Sequence, residues 1–212
     1  MHPSRAFHQA DPVLLAELVS RRGLALVVAT GRDDGAAGAP LAAHAPVLLD
    51  RSPDGAWRLR FHLSRGNTLA ACLADGDPVL AVVTGPEAYV SPDWYGLEDQ
   101  VPTWNYQSVE MAGPVRRLDA DRTTAMMDDL SAAFEARLAP KPPWTRQKMT
   151  PGRFEAMLAG IIGYEMRLER FEGTWKLGQH KPDPARIAVA EALEAHGQPD
   201  MARLVRPERG KG

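Results

Sequence analysis

The segment WRLRFHL, residues 57–63, constrains this chain most. Trp57, Leu59, Phe61 and Leu63 fall on one side and Arg58, Arg60 and His62 on the other, the two-residue period of a half-buried strand. Other segments repeat the message. LALVVAT (24–30), PLAAHAPVLLD (40–50), PVLAVVTG (78–85), the stretch from Val101 to about Val115, and Ile162–Leu168 all read as strands. PEAYVS (86–91) is predicted to pair with the strand before it. Few helical patterns intervene, and parallel strands need a long crossover between them. A doubly wound fold is therefore excluded. The predicted class is mainly β with α, an antiparallel sheet or barrel flanked by helices.

The helices carry their own signals. Asp11-Pro12 is a cap followed by an N1 proline, Leu14, Leu15, Leu18 and Val19 form one face, and Gly23 ends the helix. TLAAC reads as a short helix after SRGN, and Met127, Leu130, Phe134 and Leu138 mark a longer one. Another is predicted from Thr150 as cap with Pro151 at N1, and a last one from Asp183 to Gly197. GRDDGAAG (31–38), SPDG (52–55) and FEGT (171–174) read as turns. At 212 residues the chain suits a single domain over residues 1–205, with residues 206–212 predicted to be a disordered tail.

Composition narrows the function classes. The formal charge is −2, which argues against a broad nucleic-acid footprint. Cys72 is the single cysteine, so no intramolecular disulfide forms, which fits a reducing cytoplasm. No apolar run reaches the roughly 18 residues of a membrane span, and the N-terminus lacks a signal-peptide core. There is no Gly-rich phosphate loop, no G-x-S-x-G and no H-E-x-x-H. His44 and His62 have no Cys partners, so no metal site is predicted. No catalytic residue is assigned.

Three stretches carry polar groups that packing does not require. In Ser64-Arg65-Gly66-Asn67 a strand turns into a helix, which presents free N–H groups, a hydroxyl, a guanidinium and an amide to an anion. Between Tyr89 and Tyr106 lie five of the chain's nine Trp and Tyr residues: Tyr89, Trp94, Tyr95, Trp104 and Tyr106. With Thr103, Asn105 and Gln107 they suit a flat heteroaromatic ligand, or equally a core or subunit interface. In WKLGQHKP, Lys176, Gln179, His180 and Lys181 form a cationic group. Together these describe an anionic aromatic ligand. FMN fits, although the residues alone do not choose it over other nucleotides.

The ordered motifs add a resemblance. His44-Ala45-Pro46, His62-Leu63-x-Arg65-x-Asn67, Ser91-Pro92-x-Trp94-Tyr95, Pro102-Thr103-Trp104-Asn105-Tyr106 and Glu172-Gly173-x-x-Lys176-Leu177-x-Gln179 resemble the PaiB family of FMN-binding negative transcriptional regulators. Ala45 replaces a larger apolar residue and Gly178 a common serine. The resemblance implies a split β-barrel like that of flavin reductases and pyridoxamine-phosphate oxidases, and a homodimer with FMN at the subunit interface. It places Ser64, Arg65 and Asn67 near the FMN phosphate, with Lys176 and Gln179 as further polar contacts. His44 and His62 would approach the ring or ribityl chain. Trp94, Tyr95, Thr103, Trp104, Asn105 and Tyr106 would line the flavin. It also implies that the cationic face of WRLRFHL turns toward the ligand. Three outputs stay open: the first is repression, with DNA contacted through Arg116-Arg117 or Arg203, Arg206, Arg209 and Lys211, and the second an FMN-dependent oxidoreductase using NAD(P)H or oxygen. In the second, His62 and Tyr106 are candidate proton donors. A flavin carrier serving a partner protein is the third.

Overall fold

The computed structural model describes residues 2–33 and 36–207. Among them are eight strands: β1 (His8–Gln9), β2 (Leu24–Asp33), β3 (Ala36–Arg51), β4 (Trp57–Ser64), β5 (Pro78–Val90), β6 (Thr103–Arg117), β7 (Ile161–Arg167) and β8 (Arg170–Lys176). Six α-helices accompany them: α1 (Pro12–Arg22), α2 (Thr68–Cys72), α3 (Ala120–Glu135), α4 (Arg153–Leu158), α5 (Asp183–Ala195) and α6 (Pro199–Val205). The strand order is β1-β8-β6-β5-β2-β3-β4-β7, and β7 also pairs with β6. That extra pairing closes six strands into a ring and leaves β8 and β1 continuing from β6. This is the antiparallel split barrel that the strand patterns and the resemblance predicted.

The chain divides into two compact units. Unit 1 takes Met1–Leu18, Val83–Glu110 and Phe171–Gly212; unit 2 takes Val19–Val82 and Met111–Arg170. Unit 2 contains the β2–β3–β4–β7 ladder and the β6–β7 closure at Val115↔Met166. Leu59, Phe61 and Leu63 of β4 are buried, as the alternation demanded, together with Val27, Met111, Val115, Tyr164 and Met166. Phe61 and Tyr164 stack at 5.3 Å, a contact worth about 0.5–1.5 kcal/mol beyond its area. In unit 1, α5 and α6 bury Val189, Leu193, Met201 and Val205 against Val90, Tyr95 and Leu177.

Several local expectations change. PEAYVS is not a separate strand: β5 runs unbroken through Gly85-Pro86 to Val90. FEGT is not a turn but the middle of β8. Gly173 serves close packing there, since a Cβ would lie 2.4 Å from the Trp175 ring and 2.5 Å from Leu15. Helix α4 starts at Arg153, not at Pro151, because Gly152 adopts φ 77° and the Thr150 carbonyl accepts from Arg153 N. On α3 the buried face is Thr123, Met126 and Leu130, so Met126 takes the place expected for Met127. Asp183 is the first residue of α5, with Pro182 as its cap, and Gly197 is followed by α6 with Pro199 at its start. Most of the turn predicted over residues 31–38 is strand, since β2 runs to Asp33 and β3 starts at Ala36, while residues 34–35 and the predicted tail beyond Pro207 lie outside the described residues.

Candidate functional site

Strand β6 begins with a burial pattern that separates its two faces. Asn105, Gln107, Val109 and Met111 are buried, while Trp104 is 55% exposed. Two polar side chains thus enter an interior. Asn105 is 1% exposed and its Nδ2 has no hydrogen-bond partner; Gln107 is 4% exposed and its Oε1 has none. An orphaned buried amide costs about 1–3 kcal/mol. In a strand that otherwise buries aliphatic side chains, such a cost marks a place where something else is meant to bind.

Asn105 lines a cleft of about 280 Å³ within unit 1, with Tyr95, Thr103, Lys176, Gly178 and Lys181 among its walls. Lys176 donates to Thr103 Oγ1 at 2.6 Å, and Lys181 donates to Gln100 Oε1. Both cations therefore rest on uncharged partners. Lys181 also sits 5.3 Å from the centre of the Tyr95 ring, and burial pushes the Tyr95 hydroxyl up, keeping it protonated. His180 is held below the ordinary histidine range, first by burial and then by the Lys181 and Lys176 charges. Gly178 adopts φ 71°, and the space where its Cβ would stand lies 3.9 Å from Asn105 Nδ2. The cleft thus offers two cations, a free amide donor, a hydroxyl and an aromatic wall. That set suits an anionic or carbonyl-rich planar ligand.

The other aromatic residues separate into two roles. Trp94 and Tyr95 belong to the α5–α6 core, where Trp94 lies 5.1 Å from the His196 ring. Tyr89 and Trp104 form an edge-to-face pair at 6.2 Å and stay 46% and 55% exposed. Tyr106 is half-buried on the same face of β6 as Trp104. Gln179 is spent on the backbone: it accepts from Leu177 N and donates to Ala6 O and Trp175 O. Its amide braces the β8 exit and has little capacity left for a ligand.

In unit 2 the Ser64–Asn67 turn is exposed apart from half-buried Asn67, whose Oδ1 caps α2 by accepting from Leu69 N at 2.9 Å. Arg65 Nε donates to Ala159 O at 2.7 Å, which fixes the guanidinium base and leaves its two terminal nitrogens without a hydrogen bond among the described residues. His44 is exposed on β3. His62 is half-buried, its Nδ1 lacks a partner, and burial lowers its basicity. The two arginines on the cationic face of β4 are ion-paired: Arg58 binds Asp50 and Glu165, and Arg60 binds Asp50 and Asp129. Glu165 also receives Arg116 and Arg122. Burial opposes its charge, but the arginines outweigh burial and hold the carboxyl below the usual range.

The basic patches considered for DNA are partly paired in the same manner, with Arg117 donating to the Ala70 and Leu73 carbonyls instead. Arg116 meets Glu165, Arg203 meets Asp200 and Arg206 meets Glu194, while Arg209 and Lys211 lie outside the described residues. No metal-binding group of three or more His, Cys, Asp or Glu occurs among the described residues, and no described helix is long and apolar enough to cross a membrane. Sequence patterns named the Lys176 and Lys181 cations but gave no sign of Gln100 as a wall of the cleft.

A family model described as "Putative FMN-binding domain" matches residues 1–170. Protease synthase and sporulation protein PAI 2 from Bacillus subtilis is 30% identical over 171 residues, covering 79% of this chain and 79% of that protein. Among solved structures, the FAD and heme binding protein from Mycobacterium smegmatis aligns with TM-score 0.55 and 22% identity, over 87% of this chain and 79% of that one. The flavocytochrome Anf3 from Azotobacter vinelandii aligns with TM-score 0.59 and 13% identity, over 82% and 72%. At these identities the two structures speak to the fold.

Proposed function

Since the chain belongs to the PaiB-like family of FMN-binding domains, we propose that it binds FMN as a homodimer through a domain spanning residues 1–205. The observation that carries the reading is the buried, unpartnered amide of Asn105 in a cleft with Lys176, Lys181 and Thr103. A flavin's pyrimidine edge alternates carbonyls with a ring N–H and gains negative charge on reduction. An amide donor and two lysines without carboxylate partners fit that edge. Tyr95 supplies apolar wall beside it. The Ser64–Asn67 turn is proposed for the phosphate, with the two unbonded nitrogens of Arg65 as its chief donors. His44 and His62 are placed by the resemblance alone.

The dimer has its own support. Tyr89 and Trp104, with Val101 70% exposed and Leu97 42% exposed, form a run of exposed apolar side chains in unit 1. Aromatic residues exposed in this way mark the core of an interface. A second copy of this chain is the proposed occupant.

Repression of transcription is the output that the PaiB resemblance brings. An FMN-dependent oxidoreductase is the second reading, and one observation favours it. Of the described arginines considered for DNA, Arg116, Arg203 and Arg206 are paired with carboxylates and Arg117 donates to the Ala70 and Leu73 carbonyls, which reduces the positive field left for a phosphate backbone. FMN, when bound, accepts hydride from NAD(P)H or passes electrons to oxygen. The test is an absorbance titration with FMN, followed by anaerobic NADPH and NADH. Shifted flavin bands are the expected result. Fast bleaching selects the oxidoreductase; stable bands with a salt-dependent shift of a promoter fragment select the repressor. Unshifted bands refute FMN binding.

A further inference from the structure

Unit 2 holds a cavity of about 300 Å³ outside the Asn105 cleft, and His62, which only the resemblance gives to FMN, is the one residue it shares with the flavin reading. Its wall is mostly apolar and soft, Met127, Met149 and Met157 with Trp144, Phe154 and Ile161, and Asp128 and Ser131 are its other polar members besides His62. These come from α3, α4, the start of β7 and the proline-rich segment before α4. One polar atom in this setting lacks a partner. His62, on β4, lines the cavity, and its Nδ1 is buried without a hydrogen bond. Burial lowers the basicity of the imidazole, so the ring is neutral at pH 7. Leaving that nitrogen unsatisfied costs about 1–3 kcal/mol, which a ligand group bonded to it would recover.

The lining selects the ligand. The volume lies at the lower end for small-molecule pockets, enough for one or two rings. Methionine sulfurs and aromatic rings favour a flat π face and adapt to its outline. A charged ligand is disfavoured, because the one charged side chain of the wall, Asp128, is already paired with Arg146 at 3.1 Å. We propose that this cavity is a second small-molecule site, built from residues other than those of the FMN cleft, for an uncharged aromatic molecule that hydrogen-bonds His62 Nδ1. An aromatic carboxamide fits best, since its carbonyl and amide serve either imidazole tautomer.

The test is calorimetric titration of the FMN-loaded protein with benzamide, using benzoate and cyclohexanecarboxamide as charge and planarity controls. One benzamide binds per chain, about tenfold tighter than either control. His62→Phe, which keeps apolar packing but removes the nitrogen, weakens benzamide about tenfold. Met157 is 56% exposed, so Met157→Lys changes the rim without touching the core and also weakens binding. Heats equal to dilution, benzoate binding as tightly as benzamide, or unchanged affinity in both variants overturn the proposal. Release of FMN by benzamide, read from the flavin bands, overturns it as well, because the cavity would then be part of the flavin's own site. A protein that takes up no FMN is titrated alone, so the failure of one reading does not decide the other.

Discussion

Strands β4 and β6 both carry polar side chains into protected positions. The charged ends of the β4 arginines reach carboxylates, although Arg60 Nε and His62 Nδ1 stay unpartnered, whereas the β6 amides each keep an unpartnered atom with no ion pair beside it among the described residues. On β4, Arg58 and Arg60 meet Asp50, Asp129 and Glu165, and Glu165 collects three guanidiniums at 2.8, 2.9 and 3.0 Å. On β6, Asn105 Nδ2 and Gln107 Oε1 are more deeply buried and have no partner. A paired buried charge is part of the scaffold, because its desolvation is repaid within the chain. An unpaired buried amide is a standing cost. It persists where selection acts on binding rather than on stability. The difference teaches that cationic residue type alone is a poor guide to a ligand site. Which groups remain unpaired is the better one.

The contrast can be broken in four ways. Glu165→Leu has the largest expected effect. It leaves three guanidiniums without their shared carboxylate and lowers stability by about 3 kcal/mol in urea unfolding, with FMN affinity unchanged. Loss of FMN with stability intact would place the ligand on the arginine face after all. Next is Trp104→Ser, on the exposed face of β6. It weakens the dimer by about 2 kcal/mol in sedimentation equilibrium while leaving the fold intact. Unaltered association would remove Trp104 from the interface.

Asn105→Leu sharpens the comparison most directly. FMN binding, followed by flavin fluorescence, falls about tenfold, while stability holds or rises because an orphaned polar group is gone. A variant that loses stability instead would make Asn105 part of the scaffold. The smallest effect is on pH dependence. The folded-state pKa of His62 lies below the ordinary 6.5, so the unfolded chain binds the extra proton first. Stability from this residue is complete above 6.5 and is lost as pH falls through the lowered folded value. Urea curves near neutrality and in mild acid should therefore converge more in His62→Gln than in the parent. An identical acid loss in both would show that other groups, Glu165 foremost, carry the whole dependence.

Much of the architecture was legible before any coordinates. Alternation in WRLRFHL named the buried Leu59, Phe61 and Leu63, and the apolar runs placed β2 and β3. The strand-to-helix turn read at Ser64–Asn67 is there, with Asn67 capping the helix. These outcomes depend on local periodicity and on backbone groups a few residues apart. The misses have a common origin. Gly85-Pro86 and FEGT look like turns because glycine and proline permit turns, yet they were held in strands by neighbours distant in sequence, as Gly173 is by Leu15. Helix α6 went unread because Gly197-Gln198-Pro199 signals a stop, and only packing against α5 shows that it is a pause.

The site divides along the same line. Sequence determined its chemical inventory: the rings between Tyr89 and Tyr106, the amides of β6 and the lysines after β8. It could not say which members were already spent. Gln179 and Asn67 went to the backbone, and Arg58 and Arg60 went to carboxylates, whereas Asn105 and His62 kept an unpartnered atom. A hydrogen bond between residues far apart in the chain leaves no periodic trace, because its geometry exists only once the strands are paired and the helices packed. The sequence thus determined the barrel and the kind of ligand. The tertiary structure decided which polar atoms were left free to bind one.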